Sequence, residues 1–395
     1  MEETAGLAAA IGVVVTDKVS LRVRQPRPAT LIGTGQVEQL ATHVQQDGAS
    51  LVVFDASLTP VQQRNLETGL KAKVIDRTGL ILEIFGERAA TAEGRLQVEL
   101  AHLDYQQGRL VRSWTHLERQ RGGFGFLGGP GETQIEADRR LIRDRMAKLR
   151  RELEGVSRTR GLHRDRRQRA PWPVVALVGY TNAGKSTLFN RLTGADVMAE
   201  DLLFATLDPT LRQVSLSGVD KAILSDTVGF VSDLPTQLVA AFKATLEEVV
   251  SADLLIHVRD LAHPDTEAQR VDVEAVLAEI GVGEGTPRIE AWNKLDLLDP
   301  DTQAALEQDA IRRGDAVLIS ALSGEGVDKL MARVAETLTA GHRRYEVTVN
   351  VGDGAGAAWL HAHGEVLGQE ADGEAVRYAV RLAPEDYERF LTQSS

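Results

Sequence analysis

"GYTNAGKST", residues 179–187, decides the fold. It fits the pattern GxxxxGK[ST] and lies between an apolar run, "VVALV" at 174–178, and an amphipathic stretch, "STLFNRLTG" at 186–194. A strand, a glycine loop and a helix in that order make a cradle for phosphates. Gly179 and Gly184 permit the tight backbone path. The amides of Tyr180, Thr181, Asn182 and Ala183, with that of Thr187 at the helix start, are placed to face phosphate oxygens. Lys185 is placed to reach the β and γ oxygens, and Ser186 to ligate Mg²⁺. The loop alone does not separate ATP from GTP.

Downstream stretches settle that choice. "ILSDTVG" at 223–229 puts Asp226, forty residues past Ser186, at a strand end, where it can hold Mg²⁺ through water. The amide of Gly229 can bind the γ-phosphate there. Between the two, "LFATLDPT" at 203–210 offers Thr206, with Phe204 and Ala205 before it, as the switch threonine that closes onto Mg²⁺. Thr210 is a rival for that role. Lys185, Thr206 and Gly229 are the expected catalytic group, and Ser186, Thr206 and Asp226 the expected metal ligands. "NKLD" at 293–296 follows the strand-like "RIEAW". Asp296 can accept both hydrogens of guanine's N1 and N2 edge, which adenine lacks, so the wrong base leaves a carboxylate desolvated and unpaired. Lys294 is expected to pack its stem over the base, and Asn293 to tie the loop. "LISALSG" at 318–324 supplies Ser320 and Ala321, whose amides are available to the guanine O6, with Leu322 next to them in the expected GTP-binding set. Together these motifs, in order, specify a guanine-nucleotide site.

The position after Gly229, where a water-orienting glutamine would stand, holds Phe230. Three readings stay open. The switch binds GTP without hydrolysing it; a partner orders the switches or supplies a polar group; or Asn182 helps to coordinate a monovalent cation, K⁺, beside the phosphates. The last two are compatible with each other.

Around this site, 395 residues are enough for two or three domains. A hydrophobic content of 43% with 26% charged residues is ordinary globular composition. No apolar run approaches the roughly 20 residues of a membrane helix, and the start, "MEETAGLAAAIGVVV", lacks the order of a secretory signal. Zero cysteines exclude disulfides, thiolate nucleophiles and cysteine-held metals and fit a reducing compartment, so a cytoplasmic location is expected. The net charge of −12 is unevenly spread: residues 139–169 carry 13 Lys/Arg against 4 Asp/Glu, and the rest of the chain 32 against 53.

The first ninety residues alternate apolar runs ("IGVVV", "LVVFD", "KVID") with amphipathic stretches, which predicts a βαβα layer. Leu96, Leu100, Leu103 and Leu110, then Ile135, Ile142, Met146, Leu149 and Leu153, predict two long helices. The glycines of "RGGFGFLGGPGETQIE" lie between them and predict a hairpin with an exposed loop. "PWP" at 171–173 marks the next boundary, and the segment after Ala340 suggests two strands and two short helices. The expected fold is α/β: an amino-terminal α/β subdomain (1–92), a helical hairpin with basic linker (93–170), a P-loop GTPase domain with a mostly parallel sheet (171–341) and a small α+β domain (342–395).

With these residues in view, the chain resembles the HflX family of ribosome-associated GTPases over nearly its whole length. The likeness rests on "TLIGTGQVEQL", "VVFDASLTPVQQRNLE", "KVIDRTGLILEIF", "GRLQVELAHLDY" and "GGPGETQIEADRRLIRDR", followed by the nucleotide motifs. The glycine-rich "GGPGETQIE" beside the basic helix is its most specific signature. Family members typically carry an apolar residue after this DxxG, so Phe230 matches them. The resemblance implies a further strand and helix ahead of "EETAGLAAAIGVVV", so the amino-terminal sheet is expected to be short of an edge, or the true start lies upstream. Thr34 and Gln36 stand where lysines are common, which weakens any case for a basic nucleotide site there.

The resemblance also implies binding of GTP and GDP with Mg²⁺, and binding to the large ribosomal subunit through the glycine loop at Gly128 and Gly129. It implies a role in splitting or rescuing stalled ribosomes. Arg139, Arg140, Arg143, Arg145, Lys148, Arg150 and Arg151 agree, offering phosphate neutralisation that binds RNA in a steeply salt-dependent way; a solvated helix face is the alternative. A monomer off the ribosome is expected. The rivals are a GTP-loaded adaptor acting through protein partners and a factor for large-subunit assembly.

Overall fold

The computed structural model describes residues 2–89, 91–120, 137, 139–156, 172–195, 210–216, 219–231, 243–283, 285–373 and 375–393. The chain divides into two compact units, the first including residues 1–160 and the second carrying the phosphate loop, the DxxG segment, the base motifs and the carboxyl-terminal segment. Among the described residues no helix is long and apolar enough to cross a membrane.

In the first unit the order is α1 (Glu2–Ala9), α2 (Thr34–Asp47), β1 (Leu51–Phe54), α3 (Pro60–Leu70), β2 (Lys73–Asp76), α4 (Arg77–Arg88), α5 (Ala92–Gln120) and α6, residues 139–156. β1 and β2 pair in parallel as a two-stranded sheet. The predicted strand in "IGVVV" does not form: Gly12 turns with φ +70°, Val13 N–H donates back to Ala8 O, and Val14 is 84% exposed. Its valines supply β propensity, but propensity makes a strand only where a partner edge takes up the backbone groups. Buried Asp76 organises the unit. Its carboxylate caps α4 through Gly79 N–H at 2.9 Å and accepts from Leu58 N–H at 3.0 Å, Tyr105 Oη at 2.5 Å and Arg109 at 2.8 Å. α5 buries Val98 and Ala101, while Leu96, Leu100 and Leu103 are only half-buried, so its buried stripe is displaced from the leucines. α6 buries Met146 and Leu149 and leaves its cations outward. The glycine loop, with Gly128 and Gly129, lies outside the described residues.

The second unit is built on a six-stranded sheet of β3 (Val174–Val178), β4 (Thr210–Leu216), β5 (Val219–Asp226), β6 (Leu254–Asp260), β7 (Arg288–Asn293) and β8 (Ala316–Leu318) in the order β4-β5-β3-β6-β7-β8. Only the β4–β5 pair is antiparallel. Helices α7 (Lys185–Thr193), α8 (Lys243–Val250), α9 (Thr266–Glu279), α10 (Pro300–Arg313) and α11 (Val327–Thr339) belong to it. The central strands read as near-continuous apolar runs because helices cover both faces of a parallel sheet. Val175, Leu177, Ile256, Val258 and Ala291 are buried in one core with Leu188, Phe189, Leu330 and Val334. Truncating one such leucine to alanine costs about 2–5 kcal/mol, a large share of a domain's stability. Parallel strands align their carboxyl ends, so among the described residues the phosphate loop, the DxxG segment and the base motifs emerge from one edge of this sheet.

The carboxyl-terminal segment holds three strands, β9 (Arg343–Asn350), β10 (Glu365–Asp372) and β11 (Ala375–Leu382), in the antiparallel order β10-β11-β9, with α12 (Gly354–His363) and α13 (Pro384–Gln393). The sequence suggested two strands. Of the three, β10 has the least regular pattern: a register irregularity between Val366 and Gly368 breaks its alternation, and Gly373, at φ +65°, turns it into β11.

One buried group makes stability depend on pH. His257 on β6 is 3% exposed, and burial pushes its pKa down from 6.5 to about 3, against the pull of the Glu290 carboxylate. The unfolded chain protonates near 6.5 while the folded chain stays neutral, so this contribution is complete above that pH and is lost as pH falls toward 3. His257→Gln is expected to lose less stability than the parent protein, by about 1 kcal/mol, between about pH 7.5 and about pH 5.5, measured by urea unfolding.

Candidate functional site

The loop between β3 and α7 closes through two glycines that nothing else can replace. Gly179 adopts φ +149°, and a Cβ there would lie 2.2 Å from Val258 O. Gly184 adopts φ +97°, and a Cβ there would meet Asn293 Nδ2 at 2.1 Å. Asn182, at φ +59°, takes the left-handed turn between them and is exposed. Tyr180 and Ala183 are buried, which fixes the loop from beneath. Thr187 continues the first turn of α7 behind Ser186.

Lys185 is buried, and its ammonium donates to Gly179 O at 3.1 Å and Tyr180 O at 2.7 Å. Burial pulls its pKa down to about 8, with the Asp226 charge opposing. An anion brought against this ammonium favours its charged form, so a polyphosphate in the loop opposes the effect of burial on Lys185. Ser186 Oγ donates to Asp226 Oδ2 at 2.8 Å. A hydroxyl and a carboxylate at that spacing, both hard oxygen donors, fit the ligand preference of Mg²⁺.

The DxxG segment packs on the phosphate loop itself. Thr227 Oγ1 donates to Leu177 O at 2.5 Å. Gly229 lies so close that a Cβ would stand 2.7 Å from Thr181 Cα and 3.0 Å from Lys185 Nζ. Thr181 N–H donates to Phe230 O at 2.8 Å, and Phe230 N–H to Gly179 O at 3.1 Å. The Phe230 ring is 1% exposed. The residue in the glutamine's place is therefore a core side chain whose main chain extends the sheet onto the loop. Thr206, with Phe204 and Ala205, lies outside the described residues; Thr210 begins β4 and is the ladder partner of Asp226.

The base motifs interlock with this loop. Asn293 donates to Ala183 O at 2.7 Å and accepts from Ala321 N–H at 2.8 Å, joining the phosphate loop to the segment after β8. Asp296 accepts from Ser320 Oγ at 2.5 Å. Lys294, at φ +66°, sends its ammonium to Asp260 Oδ2 at 2.8 Å, which lays its stem across the strand ends. The amides of Ser320 and Ala321, expected to face the base, donate instead to Glu325 O and Asn293 Oδ1.

Several supporting residues had no motif to announce them. Asp260 holds Lys294. Glu290, beneath Asn293 on β7, accepts from Trp292 Nε1 at 2.6 Å, Arg259 at 2.7 Å and Arg313 at 2.9 Å. Burial works against its charge, yet Trp292 and these guanidiniums hold its carboxyl below the usual range. Arg259 and Arg313 lie over the Trp292 ring, 5.9 and 5.5 Å from its centroid. Arg191 on α7 donates to Ala321 O and Leu322 O. The glycine pair of "SGEG" was the one available signal: Gly324 and Gly326 both take positive φ.

Of the seven basic residues named on α6, Arg140, Arg143, Arg145, Lys148, Arg150 and Arg151 are exposed and Arg139 is half-buried. Arg145 pairs with Glu99 at 2.6 Å, and Lys148 with Glu152 at 3.8 Å.

Comparison with known proteins agrees with this geometry. Four family descriptions match in series: "GTP-binding GTPase N-terminal" over residues 1–86, "GTP-binding GTPase Middle Region" over 88–167, "50S ribosome-binding GTPase" over 174–294 and "HflX C-terminal domain" over 305–392. The GTPase HflX of Magnetococcus marinus is 52% identical over 384 residues, 97% of this chain and 88% of the relative. That of Escherichia coli is 47% identical over 339 residues, 86% of this chain and 79% of the relative. Identity sustained over this much of both chains, around a phosphate loop and guanine motifs that interlock, makes the chain a GTP-binding GTP hydrolase and a member of the HflX family of GTPases.

Proposed function

We propose that this GTPase is Mg²⁺-dependent, binds the large ribosomal subunit, and couples GTP binding and hydrolysis to splitting or rescue of ribosomes in the cytoplasm, as a monomer off the ribosome. The observation that carries this reading is Phe230: buried, and tied through its main chain to the phosphate loop, it leaves no side chain after Gly229 to orient a water. Hydrolysis is then slow alone and is completed when a partner orders the switches. The exposed cations of α6, in the first of the chain's two units, suit a polyanionic partner such as ribosomal RNA. The matched description "50S ribosome-binding GTPase" and the relatives' shared family support the same partner. Gly128 and Gly129 are assigned to that contact, and the division at residues 92, 170 and 341 is part of the reading.

At the nucleotide, Lys185 and Gly229 face the γ-phosphate, and Asp296 with Ser320 behind it reads the guanine edge. Ser186 and Asp226, with Thr206 as the expected third ligand, would hold Mg²⁺, which would supply charge neutralisation on the phosphates. Asn182 stands exposed on the loop in a left-handed turn, where its amide oxygen is available to K⁺.

Asp296→Asn is expected to move the preference from GTP to xanthosine triphosphate by about tenfold or more, since it exchanges a charged acceptor for a donor at the base edge; competition binding with both nucleotides checks this, and unchanged GTP selectivity refutes the assignment. Turnover is expected to be faster in K⁺ than in Na⁺ and to lose that difference in Asn182→Ala. Equal rates of the parent protein in both salts remove the cation from the account.

A further inference from the structure

Arg191 sits on α7 beyond Lys185 and Ser186, and its guanidinium reaches out of that helix to another loop. Its Nε donates to Ala321 O at 2.6 Å, and a terminal nitrogen donates to Leu322 O. Both carbonyls belong to the segment after β8. The N–H groups around them are already engaged: Ser320 with Glu325 O at 2.9 Å, Ala321 with Asn293 Oδ1 at 2.8 Å, Ser323 with Ser320 Oγ at 3.0 Å and Gly324 with Ser320 O at 2.8 Å. Within that run, among the described residues, the Leu322 amide is the donor left over, and Leu322 is 71% exposed.

A trans peptide is planar, with its C=O and N–H on opposite sides. Two donors of one rigid guanidinium on consecutive carbonyls therefore fix the plane of the Ala321–Leu322 peptide and turn the Leu322 N–H away from Arg191. The loop is shaped to admit this fork. Gly324 takes φ +95°, and a Cβ there would stand 2.6 Å from Arg191 Nη1.

We propose that Arg191 is a positioning residue of the base site: by holding these carbonyls it presents the Leu322 amide as the donor that reads the 6-oxo group of guanine, and it ties the phosphate-binding helix to base recognition. This rests on reading residues 320–322 as the guanine loop. Adenine carries an amino group at that position, so the fixed amide meets another donor and rejects it, adding to the discrimination by Asp296.

The test is equilibrium displacement of a ribose-labelled GDP from the full chain by GDP, inosine diphosphate, 6-thioguanosine diphosphate and ADP. Inosine keeps the 6-oxo group and lacks the amine read by Asp296; the thio analogue keeps that amine and replaces the oxygen by a poor acceptor. The parent protein is expected to prefer GDP to the thio analogue by about 5-fold, the worth of one neutral hydrogen bond. Arg191→Ala is expected to bring that ratio near one while preserving the ratio of GDP to inosine diphosphate, and Arg191→Lys to restore it only in part. Equal weakening of all the guanine analogues, unchanged ratios, or a parent protein that binds GDP and the thio analogue alike overturns the proposal. Should Arg191→Ala unfold, as judged by circular dichroism, Arg191→Lys and Arg191→Gln carry the same comparison. Loss of the preference for GDP over ADP in the parent protein is a different result, because it removes the guanine reading itself.

Discussion

Three points of backbone contact, each with no room for a side chain, hold the nucleotide site together. Gly179 lies against Val258 O, Gly184 against Asn293, and Gly229 against Thr181 and Lys185. Each brings a different strand end onto the same six-residue loop, so the loop's shape is set by main-chain packing rather than by the polar groups that later meet the ligand. Gly184 and Asn293 illustrate the dependence. The asparagine can bridge Ala183 O and Ala321 N–H only because residue 184 has no Cβ, and that bridge joins the phosphate loop to the base loop.

This arrangement explains why the chain can place a phenylalanine after Gly229. The main chain of Phe230 pairs with Thr181 and Gly179, and the ring fills the core beneath, so the residue stabilises the contact between the DxxG segment and the loop. A polar side chain there would leave buried space and, pointing inward, an unsatisfied polar group costing about 1–3 kcal/mol. The chain thus keeps a well-packed nucleotide cradle in place of its own water-orienting group, which is why the proposed function assigns the missing chemistry to a partner. The cations exposed on α6 in the same chain have the sign of charge that the proposed ribosomal partner requires.

The nucleotide motifs were legible in the sequence because chemistry fixes both their residue types and their order along the sheet: "GKST", "DTVG", "NKLD" and "SAL" each follow a strand of a parallel sheet, and the structure sets them on one edge. What stayed hidden depended on distance in space. Arg191 meets Ala321 across 130 positions, and Glu290 meets Arg259 across 31, with no local signal at either end. The failures among the elements have local causes as well. "IGVVV" has the composition of a strand and, among the described residues, no strand partner, while β10 has a partner in β11 but a glycine and polar residues that break its alternation. The base loop was read correctly as a loop, yet which of its amides is left over depends on Asn293, Glu325 and Arg191 together, which no spacing rule conveys.

The central claim is that this GTPase carries a complete nucleotide cradle and an incomplete catalytic one, finished by the ribosome. The most direct measurement is GTP turnover in K⁺ and Mg²⁺ with and without purified large ribosomal subunits, at low and high salt. Strong stimulation by the subunits that weakens as salt rises is the predicted result. Tight GTP binding with the same slow turnover in the presence and absence of subunits would contradict it.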